Sequence, residues 1–277
     1  MCKILLRLAF CLLFSASYAS QQQYIPWDKE YHYKLVERSA EHIAHLSTFP
    51  VMRYPNKKFA NLAHYFPENK ILVFGYGSLM NRTSAEHTLT REAAKTMRPV
   101  IGFGLKRIFN YKSNPGQRWG HELDPREKAM LNVMPMTTYG SIINGVVFEL
   151  SVTELENLVK RELGYDLVPI LIADWEDVKN RSGNPKIQIA YAFIVPEEVR
   201  CGIAYVNRKY YPVRGYLKAV REGATAFGED FFEFFEATTY LANGTTLVRD
   251  WDEATFKENL KPCKREPGEG TEGASTP

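Results

Sequence analysis

The stretch that most constrains this chain is residues 71–80, Ile-Leu-Val-Phe-Gly-Tyr-Gly-Ser-Leu-Met. Four consecutive apolar residues, Ile71, Leu72, Val73 and Phe74, form a short run bounded by glycine and read as a buried strand. The strand runs straight into Gly75-Tyr76-Gly77-Ser78, where glycine lets the backbone turn and present bare N–H groups. Successive N–H groups in such a turn form a concave nest of positive partial charge, suited to a carboxylate or a phosphate. A plain tight turn is the competing reading, since neither a G-x-G-x-x-G run nor a Walker lysine follows.

A second landmark lies far downstream. Ser151-Val152-Thr153-Glu154 has the form of a capping box, so a helix starts at Val152 and carries Leu155, Leu158 and Val159 inward. Continued at the same period, Glu162 falls four residues after Leu158 and three after Val159, at the helix end and on the core-facing side. Burying a carboxylate is costly unless something pairs or uses it, and burial raises its pKa toward the range a proton shuttle needs. The same residues also fit a surface ion pair with Arg161, or a helix-end carboxylate that reaches into water.

Phe-Gly-Tyr-Gly-Ser-Leu-Met, with its strand context, resembles the YGS-[LN] signature of the γ-glutamylcyclotransferases. That superfamily includes ChaC-like glutathione-degrading enzymes and γ-glutamylamine cyclotransferases. Arg161-Glu162-Leu163-Gly164-Tyr165 is similar to the segment that carries the catalytic glutamate in ChaC-like members. Residues 102–109 resemble the strand that follows the YGS loop, and residues 216–228 resemble a helix near the end of ChaC-like domains. The resemblance covers roughly residues 69–240.

It implies an α+β fold, a small mixed β-barrel-like sheet with surrounding helices, to which this chain adds an N-terminal helical extension. It also implies a cofactor-independent enzyme that turns a γ-glutamyl amide or peptide into 5-oxoproline and a free amine. In that scheme Tyr76, Gly77, Ser78 and Leu79 cradle the substrate, Glu162 is the general acid and base, and Arg107 and Tyr165 shape the pocket. ChaC-like enzymes specific for glutathione tend to carry one more residue between the glutamate and the Gly-Tyr pair. This chain lacks it, so the leaving amine is not assigned to glutathione.

A rival reading is a non-catalytic secreted binding module that keeps the fold and holds a glutamyl-like ligand. Intact Glu162 argues against it, because a binding-only site has no reason to set a carboxylate against a carboxylate ligand. A nucleophilic hydrolase fails on inventory, since Ser78 is not in a G-x-S-x-G elbow and no histidine is placed to activate it.

The N-terminus reads as a leader, with Lys3 and Arg7 before an apolar run over residues 8–14 and Ser17-Tyr18-Ala19 as a cleavage site. The chain is then secreted or periplasmic, with no membrane attachment after cleavage following Ala19. The expected organisation is a leader over 1–19, a helical extension over 20–68, the main domain over 69–262 and a disordered tail over 263–277. Loss of Lys3 and Arg7 takes the formal charge from +3 to +1, and no basic stripe interleaved with aromatics suggests a nucleic-acid partner. Cys201 and Cys263 are the cysteines left, enough for one disulfide and not for a disulfide framework. His42 and His45 share a helical face without a further ligand, so no metal is expected. The partner implied is a small γ-glutamyl molecule, and the sequence sets no oligomeric state.

Around these landmarks, residues 28–49 read as a helix with Tyr31, Leu35, Ile43 and Leu46 on its apolar face. Residues 84–95 read as helical, 97–109 as a strand bent at Gly102 and Gly104, and 110–128 as a polar loop holding Trp119. Strands follow over 129–134, 145–150, 168–173 and 187–195, then helices over 212–228 and 229–241, the latter with a phenylalanine run that reads as core. Of three Asn-x-Ser/Thr triplets, the one at Asn81 sits beside the proposed cradle and is expected to be accidental.

Overall fold

The computed structural model describes residues 29–53, 62–66, 69–112, 119, 125–136, 140–162, 164–196 and 210–251. The expected leader, Cys201, Cys263 and the tail over 263–277 lie outside them. The helix read over 28–49 is two pieces, α1 (Lys29–Glu41) and the short α2 (Ile43–Leu46). α1 buries His32, Leu35, Val36 and Ser39, spaced as one face of an amphipathic helix. Leu35 is core, while Tyr31 is half-buried and its hydroxyl donates to the Ser182 carbonyl at 3.1 Å. Beyond α2, Met52 and Leu167 exchange two backbone hydrogen bonds of 2.9 Å, which tie this segment to the main body.

The strand read at the start of the landmark is β1 (Ile71–Gly75), with Ile71, Val73 and Phe74 buried. The next helical stretch is divided by two caps. Asn81 accepts from the Ser84 N–H and Thr90 from the Ala93 N–H, both at 3.1 Å, starting α3 (Arg82–Glu86) and α4 (Arg91–Lys95) separately. The bent strand is β2 (Arg98–Phe103) followed by β3 (Leu105–Lys112). Between them Gly104 has φ +68°, a left-handed value that favours glycine, and there the chain passes from one sheet to another.

β4 (Glu127–Pro135) and β5 (Ile142–Leu150) are longer than the sequence patterns, and α5 (Val152–Arg161) begins with both halves of its capping box formed. β6 (Asp166–Asp174) leads into α6 (Trp175–Lys179), which the sequence reading did not contain. Five residues are too few to show a period; what starts this helix is Asp174 accepting from the Glu176 N–H at 3.0 Å. Then come β7 (Ile187–Ile194), β8 (Tyr211–Pro212), α7 (Arg214–Thr225), α8 (Glu229–Thr238) and β9 (Thr239–Tyr240). The phenylalanine run of α8 is core, as its composition suggests, with Phe231, Phe234 and Phe235 fully buried and Trp175 packed on the first two.

The fold is α+β. Five strands close a barrel in the order β1-β5-β2-β6-β7, and a second sheet runs β8-β4-β3-β9, with helices outside. Every neighbouring pair in the barrel is antiparallel except β1 with β7. Closure gives β1 a partner on each side, so a short apolar strand with no polar face is what the position requires. The loop that leaves β1 therefore starts from a rigid base. No helix among the described residues is long and apolar enough to cross a membrane.

Candidate active site

From Gly75 the chain enters a 3₁₀ turn over Ser78–Met80, closed by the Met80 N–H to the Gly77 carbonyl at 2.9 Å. α7 fastens this turn from outside. Asn81 donates its side-chain amide to the Ala219 carbonyl at 3.1 Å, and Gly223 lies so close that a Cβ there would stand 2.6 Å from the backbone of Met80 and Asn81. The Asn81 amide thus serves a cap and a tie at once. On the inner side, a Cβ on Gly77 would collide with the Tyr216 hydroxyl. The loop opens into a cavity of about 260 Å³ lined in part by Phe74, Tyr76, Leu79, Leu131 and Tyr216.

Arg161 and Glu162 reach the same cavity from the far end of α5. Arg161 is the last helical residue and Glu162 the C-cap, its N–H bonded to the Leu158 carbonyl at 3.0 Å. Gly164, with φ +86°, then takes the left-handed turn that sends the chain into β6 and sets Tyr165 in the cavity wall. The Arg161 guanidinium donates to the Ser84 carbonyl at 2.8 Å, to the hydroxyls of Thr88 and Ser84 at 3.3 and 3.2 Å, and to Ser78 Oγ at 2.8 Å. Its Nε pairs with Glu162 Oε1 at 3.1 Å. The two side chains are 11% and 20% exposed, so this is no surface pair wandering in water. Because a guanidinium only donates, Ser78 Oγ is the acceptor in that bond and its own proton remains to be given elsewhere.

Three buried phenols, Tyr76, Tyr165 and Tyr216, add further polar groups to the cavity wall. Burial, then Tyr216 and the Glu162 carboxylate, push the Tyr76 hydroxyl well above its ordinary range. Tyr165 is raised by burial, then by Tyr76 and Glu162. Tyr216 is raised by burial and then by Glu162, with hydrogen bonds to the backbone of Ser78 and Leu131 pulling the other way. All three therefore stay protonated near neutral pH and act as hydrogen-bonding walls rather than bases; Tyr76 donates to the Phe193 carbonyl at 2.6 Å. Glu162 is the carboxylate among the described lining residues. No group of three His, Cys, Asp or Glu among the described residues could hold a metal ion.

Tyr76, Gly77, Ser78, Leu79, Glu162 and Tyr165 thus line one cavity, although the sequence separates the first four from the last two by more than eighty positions. Arg107 is not among the residues lining it. The resemblance implies a pocket role, but the Arg107 side chain is wholly buried between β3, β5 and α8. It gives Nε to Thr239 Oγ1 at 2.7 Å, Nη1 to the Asn144 carbonyl at 2.6 Å, and Nη2 to Asn144 Oδ1 and Thr238 Oγ1 at 2.7 and 3.0 Å. The physical reason is that its donors are taken up inside the fold, by Asn144 of β5 and by the residues that end α8 and begin β9.

Sequence reasoning did not assign Tyr216, Tyr111, Trp119 or Met130 to the site, yet all four line the cavity. Tyr216 opens the helix text that resembles the family, which was a usable signal. Tyr111 follows a β-bulge after Ile108, an irregularity invisible in a one-strand pattern, and pairs across the sheet with Met130. Trp119 stood out only as an aromatic residue in a polar loop.

No protein-family model matches the chain, and no curated protein does. Among solved structures it is similar to a gamma-glutamyl cyclotransferase, with 15% identity over 69% of this chain and 98% of that one and a TM-score of 0.43. It is similar to a gamma-glutamyl cyclotransferase specific to glutathione from yeast, with 14% identity over 62% and 96% of the two chains and a TM-score of 0.43. It is also similar to YkqA from Bacillus subtilis, with 16% identity over 64% and 57% and a TM-score of 0.45.

Proposed function

We propose that this chain is an exported, cofactor-independent γ-glutamylcyclotransferase-type enzyme that converts a γ-glutamyl amide to 5-oxoproline and a free amine. The observation that carries the reading is the meeting of two distant motifs: Arg161, 83 positions from Ser78, bonds its hydroxyl and also Glu162, so the glycine loop and the carboxylate face one cavity. Export rests on the leader pattern of residues 1–19, and sequencing the N-terminus of protein made in its own host tests it, Ser20 being the expected first residue.

The reaction is an intramolecular aminolysis. The substrate α-amine attacks its own γ-carbonyl carbon, a C–N bond forms within the new five-membered ring, and the bond to the leaving nitrogen breaks. Holding amine and carbonyl together supplies much of the rate, since effective molarities of about 10⁵ to 10⁸ M correspond to roughly 7 to 11 kcal/mol. In this scheme Ser78, already receiving a bond from Arg161, gives its own proton to the substrate α-carboxylate. Backbone N–H groups of the Gly75–Leu79 turn complete the cradle. The α-amine attacks as the free base; Glu162 takes the proton that its nitrogen sheds as the ring C–N bond forms and returns it to the departing nitrogen, which balances the step without an outside acid. Purified protein incubated with γ-glutamyl amides should accumulate 5-oxoproline and amine in equal amounts. Release of free glutamate instead would make the chain a hydrolase and end this reading.

A further inference from the structure

The cavity has two kinds of wall. Its deep part is the β1 loop with Tyr76, Leu79 and Tyr216, all buried, together with Glu162. Its half-buried part is Tyr111, Trp119 and Met130. Tyr111 and Met130 belong to the second sheet, where they are cross-strand partners in β3 and β4, and the bulge after Ile108 is what puts them in register. Tyr111 packs on Tyr165 with ring centroids 5.0 Å apart, and Trp119 stands edge-on to Tyr216 at 5.2 Å. The rings are thus held in place before any ligand arrives.

We propose that these residues select the leaving amine, and that the substrate is a γ-glutamyl conjugate of an apolar or aromatic amine rather than of an anionic amino acid or peptide. The inference rests on the function proposed above, which assigns the glutamyl half to the loop and the leaving nitrogen to Glu162. Whatever hangs from that nitrogen then meets Tyr111, Trp119 and Met130. An aromatic or thioether surface gains by being desolvated against an apolar group and by ring-edge contacts. A leaving group that carries a carboxylate needs a cation instead. Among the described lining residues the cation is Arg161, and Ser78, Ser84, Thr88 and Glu162 already hold its donors.

The test compares γ-glutamyl phenethylamide, γ-glutamyl methylamide, γ-glutamylglycine and glutathione on the purified chain, with 5-oxoproline as the readout. The phenethylamide should show kcat/KM at least about tenfold above each of the others, the scale on which apolar pockets discriminate. Trp119→Ala and Tyr111→Ala should each pull the ratio of phenethylamide to methylamide toward one. Calorimetric binding of the same four compounds to Glu162→Gln supplies a readout that needs no turnover. Equal or better use of γ-glutamylglycine or glutathione overturns the inference and leaves the proposed reaction standing. Selective binding of the phenethylamide with no 5-oxoproline from any compound overturns the reaction and keeps the aromatic subsite. Neither selectivity nor turnover overturns both.

Discussion

Arg107 and Arg161 each draw several acceptors from distant parts of the chain, and the company they keep differs. Arg107 reaches Thr238, Thr239, Asn144 and the Phe235 carbonyl, all neutral, and lies over the Phe235 ring at 4.2 Å with no exposure to water. The two threonine hydroxyls that receive its bonds pass their own protons to the carbonyls of Phe234 and Phe235, so every polar group in the node is matched. Burial pulls Arg107 down to about 9, with Glu236 the largest influence in the other direction, and it remains a cation near neutral pH. Glu236 is itself clasped by Arg221 at 2.7 and 3.0 Å. Arg161 has a carboxylate as one partner and a cavity in front of it. A saturated node of neutral acceptors fixes strands and helices to one another. A pair that keeps a charge at the edge of a cavity can also do chemistry.

The largest expected effect comes from emptying the saturated node. Arg107→Met keeps the apolar stem and removes every donor, leaving the acceptors of Asn144, Thr238 and Thr239 in a dry interior. At about 1–3 kcal/mol for each unsatisfied group, and with some relaxation, the loss should be at least about 3 kcal/mol in urea unfolding, while kcat of the folded fraction stays close to the parent. The reverse pattern, full stability with turnover lost, would return Arg107 to the site, as the family resemblance implies.

Glu162→Gln works on the other side of the comparison. The amide keeps the shape and loses the base, so 5-oxoproline formation should fall by at least about 10²-fold while substrate binding and thermal stability persist. A Gln variant that turns over at the parent rate removes Glu162 from the mechanism.

How far the sequence could foresee this comparison follows from what each feature depends on. β1, the capped helix α5 and the phase that brings Glu162 to its end depend on neighbours in the chain, and local patterning shows them. The core role of the phenylalanines in α8 follows from composition alone. The division of one bent strand into β2 and β3 could be seen at Gly104, but that the two halves belong to different sheets could not, because sheet membership is decided by partners elsewhere. For the same reason the resemblance of residues 102–109 implies a pocket role for Arg107, and only tertiary contact reveals that Asn144 and α8 hold its guanidinium. Tyr111 was hidden by a bulge, and local patterning left a surface ion pair open for Arg161 and Glu162 because the hydroxyls that hold Arg161 lie some seventy to eighty residues away.

His32 offers a third case, a buried group that avoids charge instead of matching it. Burial holds it down to about 4 against an ordinary 6.5, with a backbone hydrogen bond at Gly140 working the other way. Between those values the unfolded chain binds a proton that the folded chain does not, so stability falls as pH drops through 6.5 toward 4 and levels off below. Between pH 7.5 and 5 this should amount to about 2 kcal/mol, present in the parent and absent from His32→Leu when the two are unfolded in parallel. A pH dependence unchanged by the substitution would mean that His32 is charged in the folded protein, and that α1 tolerates a buried cation as the Arg107 node does.

The smallest effect expected is also the one that separates the two arginines most directly. Arg161→Lys keeps a positive charge beside Glu162 and loses the planar fork, and one ammonium cannot reach Ser78, Ser84, Thr88 and Glu162 together. The carboxylate and the Ser78 hydroxyl then lose their common brace. kcat/KM should drop by about tenfold with kcat carrying most of the change, because orientation rather than charge has been removed. Millimolar guanidinium ion should recover part of the rate in Arg161→Ala, a response that a merely structural arginine would not give, and the melting temperature of the Lys variant should stay near the parent's. If the Lys variant instead keeps its rate and melts early, Arg161 is a tie between α5 and α3 of the same kind as Arg107, and the line between the two nodes disappears.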